Sequence, residues 1–295
     1  MKPENGAGTM SVEGDDMSAY VDCVRSEAGS ERRVALFFAA TYALTWALFA
    51  PILLSGQPLF TLPLGLNALF FFATVAPSLV ACVIATMQGG RRGLVALLRQ
   101  ATLWRFGVRW YATALLLAAL LDVIALAVDI LAGRGPRSLQ LMFQIQLVIP
   151  FAALGEEFGW RGYALPRLQK LYRPLPAALI LGVVWAFWHL PYFVVAGNYP
   201  SPAALYFIPF AIGIVASSVL ISWIYNSTGG SLLATILYHA ALNIAVAIPQ
   251  SDGLGGVWVN TSVFALCALI VALVSPIFRR TVGGTRVVRS SASDA

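Results

Sequence analysis

Residues 110–132 read WYATALLLAALLDVIALAVDILA, an apolar run interrupted by two charges, Asp122 and Asp129. At about 1.5 Å per residue, a helix of this length reaches about 34 Å, enough to cross the hydrocarbon of a bilayer. Runs of the same kind recur at roughly 34–55, 67–87, 139–158, 174–195, 203–225, 230–248 and 257–278. The chain has 295 residues, 59% of them hydrophobic and 11% charged, and its mean hydropathy of +0.79 lies outside the range of soluble domains. The expected fold is an all-α polytopic transmembrane helix bundle of about eight spans. It divides into a flexible cytoplasmic tail over 1–33, a transmembrane domain over 34–278 and a basic cytoplasmic tail over 279–295.

The basic residues set the orientation. With the amino terminus cytoplasmic, alternate segments place Arg134 and Arg137 outside and 17 of the 19 Lys and Arg inside. The positive-inside rule therefore puts both termini in the cytoplasm, in agreement with an even span count. The net charge of +6 is a topology signal on this reading, and nucleic acid is not an expected partner. The lipid bilayer is, and the expected location is the cell membrane of a prokaryote, as a multi-pass integral protein. Residues 1–31 are polar and acidic without an apolar core, which suits a mobile tail rather than a signal peptide. The run that starts at Val34 is expected to stay in the protein as a signal anchor. Cys23, Cys82 and Cys267 show no paired spacing, which argues against a disulfide framework and a thiolate metal site.

A charge at the centre of a membrane helix costs about 2.5–3.5 kcal/mol, so each one retained there needs a reason. After residue 31 the only glutamates are the adjacent Glu156 and Glu157, and the only histidines of the chain, His189 and His239, lie in apolar stretches. Glu157 and Arg161 are four apart and share a helix face in the order that favours an ion pair, whereas Glu156 points about 100° away. One carboxylate can then be neutralised structurally while its neighbour stays available for chemistry. His189 sits in an aromatic patch that runs from Trp185 to Pro191, and the aromatics are read as packing residues without a catalytic role. His239 and Asn243 again lie four apart on one face, offering an imidazole and an amide toward a common point. Each segment taken singly is also compatible with helix–helix hydrogen bonding alone.

The three motifs in order, Glu156-Glu157-x-x-x-Arg161, Trp185-x-x-x-His189 and His239-x-x-x-Asn243, resemble the signature of the CPBP family of intramembrane proteases. That family includes the type II CAAX prenyl endopeptidases and the Abi bacteriocin-processing or immunity proteins. The resemblance covers about ninety residues, from Glu156 to Asn243. One departure is visible, since the family usually has Phe where this chain has Trp185. The resemblance implies an eight-span membrane peptidase in which Glu156 and His189 activate water while His239 and Asn243 stabilise the oxyanion.

The residue types suit those roles. Peptide hydrolysis needs a base for water, and a carboxylate in a partly dry site is a stronger base than one in bulk solvent. Glu156 is the expected base. His189 would share the water and later help to protonate the leaving amine, and Arg161 would hold Glu157. Negative charge developing on the tetrahedral oxygen calls for donors such as the His239 ring and the Asn243 amide. No cofactor is obligatory on this reading. A rival chemistry has Glu156, His189 and His239 bind Zn²⁺ with an open fourth position. The chain lacks His-Glu-x-x-His, so those ligands would come from three separate helices. Depth raises a difficulty: if the chain reverses near Arg173–Pro176, His189 faces Gly159, and few apolar residues follow it before the Gly197–Pro202 turn.

Asp122 and Asp129 lie seven apart on one stripe of their span, with Asp129 close enough to Arg134 to pair. The expected function is that of an intramembrane endopeptidase acting on a peptide or lipidated protein, such as a prenylated terminus, a leader or a membrane anchor. Two alternatives use the same residues. A proton-coupled transporter would string them along an ion path, and a non-catalytic immunity or scaffold protein would use them to hold helices together.

Overall fold

The computed structural model describes residues 29–135, 151–196, 202–245 and 253–279, all in helices and their connections with no strand among them. In chain order the helices are α1 (Ser30–Ser55), α2 (Leu64–Arg99), α3 (Val108–Leu131), α4 (151–157), a π-helical turn (Phe158–Ala164), α5 (Leu165–Leu171), α6 (Pro174–Trp188), α7 (Leu190–Val194), α8 (Ala204–Ser227), α9 (Leu232–Ala245) and α10 (Gly253–Val274). Six helical stretches are long and apolar enough to cross a bilayer: 30–55, 64–102, 108–131, 174–194, 204–227 and 253–274. The seventh expected span is the shorter helix α9, and residues 139–150 of the fourth lie outside the described residues. The outermost tail residues, 1–28 and 280–295, lie outside them as well, and helix already begins at Ser30 rather than Val34.

The surface has the character of a protein dissolved in lipid. Leu54, Leu64, Met87, Leu116, Leu131 and Val274 all point outward, while the buried set includes Glu156, Glu157, Arg161 and His239. Apolar residues outside and charges inside invert the usual arrangement of a soluble domain, and the chain is an integral membrane protein.

Prolines and glycines decide where helices bend and how closely they approach. Pro77 inside α2 has no N–H to offer the Ala73 carbonyl, and Thr45 Oγ1 of α1 donates to that carbonyl at 3.4 Å. Trp188 Nε1 donates in turn to Thr45 Oγ1 at 2.8 Å, which ties α6 to the α1–α2 pair. At Gly90 the backbone takes φ 57° and ψ −149°, a region open in practice to glycine, and α2 kinks there. Gly155 and Gly159 turn one face of the central segment toward α2. A Cβ at Gly159 would lie 2.5 Å from the Pro77 carbonyl oxygen, and one at Gly155 would lie 2.5 Å from Val75 Cγ1. This small-x-x-x-small spacing lets α2 seat directly on the segment that carries the glutamates.

The chain reverses between α5 and α6 at Tyr172 and Arg173, where the sequence places a turn. Alignment after the turn is the expected one, since Trp160 and Trp188 stand in the same register as the pairing of Gly159 with His189. Trp160 meets Trp188 edge to face with ring centroids 5.8 Å apart, and Gly159 has the Pro77 carbonyl against its α-carbon. The depth difficulty around His189 has a simple origin. Helix α6 stops at Trp188, His189 occupies the break, and α7 restarts the helix for five residues. Pro191, lacking an N–H, accounts for the interruption of the ladder.

The remaining spans enclose this centre. Helix α6 packs on α8, α8 on α10, and α3 on both α9 and α10. Both aspartates of α3 are engaged, the first across this packing and the second locally at the end of the helix. Asn260 Nδ2 of α10 donates to Asp122 Oδ1 of α3, and Arg134 pairs with Asp129 at 2.8 Å.

Candidate active site

The site is built on a widened helical turn. Over Phe158–Ala164 the helix is of the π type, and the Leu165 N–H reaches back five residues to the Trp160 carbonyl. Such turns recur at functional sites because they re-aim side chains without ending the helix. Pro166, next in the chain, has no N–H, and Gln100 Nε2 donates to the Gly162 carbonyl at 3.3 Å. Within this turn Trp160, Arg161, Gly162 and Tyr163 are buried together.

The two adjacent glutamates have separate partners. Glu157, with no exposed surface, accepts Arg161 Nη1 at 2.7 Å and the His239 ring nitrogen Nδ1 at 2.8 Å, both on Oε1. The first of these is the ion pair that the spacing of four residues predicts; the second comes from α9 across the bundle. Glu156 Oε2 accepts the Trp185 indole N–H at 2.7 Å, with the Trp160 indole N–H at 3.4 Å from the same oxygen. The indoles thus occupy one oxygen of Glu156 and leave the other, Oε1, without either of them.

Trp185 lies at the middle of the cluster. The Arg161 guanidinium sits over its ring at 4.5 Å, the His239 ring meets it edge to face at 5.2 Å, and its backbone carbonyl holds His189 Nδ1 at 2.8 Å. A carbonyl can only accept, so Nδ1 of His189 carries the proton and Nε2 presents a lone pair. His189 is half-buried among Trp188, Tyr192 and Phe210. Asn243 lies one turn beyond His239 on α9 and is also half-buried. The structure therefore gathers Glu156, Arg161 and His239 directly around Trp185, joins Glu157 to them through Arg161 and His239, and attaches His189 through the backbone.

Trp185 and Trp160 are absent from the residues that sequence reasoning selects, because a tryptophan in an apolar run reads as packing. The available signal is the departure at Trp185 itself, where an N–H donor stands in place of the phenyl ring that the resemblance leads one to expect. The Zn²⁺ alternative meets a geometric objection: among the described residues no three His, Cys, Asp or Glu side chains are grouped as metal ligands.

Fold and site together define a membrane-embedded helical protein with a buried carboxylate–histidine cluster. Residues 138–245 match the family model described as type II CAAX prenyl endopeptidase Rce1-like, and all three motifs fall within the matched segment. Over 136 residues, 44% of this chain and 49% of the relative, the sequence is 28% identical to a protein of Methanococcus maripaludis named CAAX prenyl protease 2. The chain thus spans about half the length of that curated relative.

Proposed function

We propose that the protein is an intramembrane endopeptidase that hydrolyses a peptide bond near the carboxy terminus of a prenylated, membrane-associated peptide. One observation carries the reading: two adjacent buried glutamates with different partners, one paired with Arg161 and bonded to His239 and the other held by indoles through a single oxygen. Charges in such surroundings are costly, and a purely structural role needs one ion pair rather than two carboxylates.

Glu156 Oε1 removes a proton from water, and the water oxygen attacks the peptide carbonyl carbon. His189 Nε2, with its lone pair outward, accepts a hydrogen bond from the same water. The carbonyl oxygen becomes an oxyanion stabilised by the Asn243 amide and His239 Nε2. The contact of His239 Nδ1 with Glu157 fixes the orientation of the ring and with it the direction of Nε2. Collapse of the intermediate breaks the C–N bond, and the proton taken from water passes to the leaving amine through Glu156 or His189. No metal is required by these steps. The prenyl group supplies membrane affinity, since each buried CH₂ contributes about 0.8 kcal/mol.

The test uses purified protein in liposomes with a quenched fluorogenic peptide ending in a farnesylated CAAX tetrapeptide, and product termini read by mass spectrometry. Wild type is expected to release the last three residues, and folded Glu156→Ala is expected to release none. Cleavage retained in Glu156→Ala or His239→Ala protein would refute the proposal. Comparing peptide termini in membranes of cells that make either form extends the test to leader or anchor substrates.

A further inference from the structure

The two oxygens of Glu156 are not equivalent. Oε2 takes the Trp185 N–H at 2.7 Å, a full-strength distance, whereas the Trp160 N–H at 3.4 Å lies near the limit of a hydrogen bond. Trp185 is itself held on several sides. It is 1% exposed, carries the Arg161 guanidinium at 4.5 Å over its ring, and touches the edge-to-face ring of His239. Arg161 is in turn fixed by Glu157 at 2.7 Å.

We infer that Trp185 is a positioning residue for peptide hydrolysis, its indole N–H holding Glu156 by Oε2 so that Oε1 is presented as the base. The inference rests on the peptidase reading and deepens it. An indole is a donor and never an acceptor, so it fixes the carboxylate without competing for the proton taken from water. A bond to an ionised carboxylate is charge-assisted, and a cation over the ring draws π density away from the nitrogen, which makes the N–H a better donor. The same residue holds His189 through its backbone carbonyl, so base and imidazole are referred to one buried residue, the first by its indole and the second by its main chain. Oriented groups of this kind raise the rate of the chemical step and leave substrate binding largely unchanged.

The experiment measures kcat and KM separately, with the farnesylated fluorogenic peptide in liposomes, for wild type, Trp185→Phe and protein carrying benzothienylalanine at position 185. The phenyl ring keeps an aromatic face for Arg161. Benzothienylalanine keeps the bicyclic shape and replaces N–H with sulfur. Both changes are expected to lower kcat about 10- to 100-fold with KM within about 2-fold, the size expected for losing a hydrogen bond to a charged group. A fluorotryptophan at position 185, which keeps the N–H, is expected to restore kcat to within about 3-fold of wild type. Wild-type kcat in the benzothienylalanine protein, or a loss confined to KM, overturns the inference while the peptidase reading stands. Absence of cleavage by wild type removes the reaction itself and overturns both.

Discussion

Arg161 and Glu157 make the sharpest test of how the centre is held. Both have no exposed surface, their atoms are 2.7 Å apart, and the carboxylate oxygen also receives His239. Arg161→Met removes the guanidinium and leaves a buried carboxylate facing one histidine. Glu157→Gln keeps an oxygen for His239 but leaves Arg161 buried with no opposing charge among these partners. Breaking a buried pair from one side costs about 3–5 kcal/mol. For a chain of this size each kcal/mol lowers the unfolding midpoint by about 2–4 °C, so each single variant is expected to lose about 6–20 °C. The double variant removes both charges together, and buried pairs replaced whole are often neutral. It is therefore expected to be at least as stable as either single variant, with a coupling of about 2 kcal/mol or more. Thermal unfolding in detergent, followed by tryptophan fluorescence, measures all four proteins. Losses that simply add, or single-variant shifts below about 2 °C, would refute the view that this pair organises the interior.

Three further outcomes follow from the same geometry. Glu156→Gln, which still accepts the Trp185 N–H, is expected to lower kcat by about 10²-fold or more while the unfolding midpoint stays within a few degrees, as steady-state cleavage and thermal unfolding together would show. Gly159→Ala places a methyl group 2.5 Å from the Pro77 carbonyl and is expected to cost about 1–3 kcal/mol, whereas Gly65→Ala meets nothing within 4 Å and is expected to be neutral or slightly stabilising by thermal unfolding. Exhaustive treatment with a strong chelator is expected to leave cleavage within about 2-fold; a loss restored by added Zn²⁺ would require a different ligand arrangement from the one described.

Local relations were legible in the chain. The span-length apolar runs at 30–55, 108–131 and 204–227 fold as helices because a bilayer admits little else at that length and composition. The Glu157–Arg161 pair follows from a spacing of four, and it survives the π turn because the two side chains remain one turn apart. The Asp129–Arg134 pair is likewise a short-range consequence of sequence. Helix α6 was harder to read, because a break at His189 interrupts an apolar run that composition alone would continue through Val195.

Composition and spacing, then, determined a membrane-embedded helical bundle and the residue types capable of acid–base chemistry, since solvent and helical repeat act on each segment separately. Tertiary structure alone decided the partners of those residues. His239 reaches Glu157 from 82 positions away, and Trp185 reaches Glu156 from 29. Nothing in the period of a helix encodes such contacts. They depend on how closely α2 can press on Gly155 and Gly159, and on where α6 is turned back against the π segment. A tryptophan that looks like packing in the sequence becomes a hydrogen-bond donor to the candidate base once those helices are brought together.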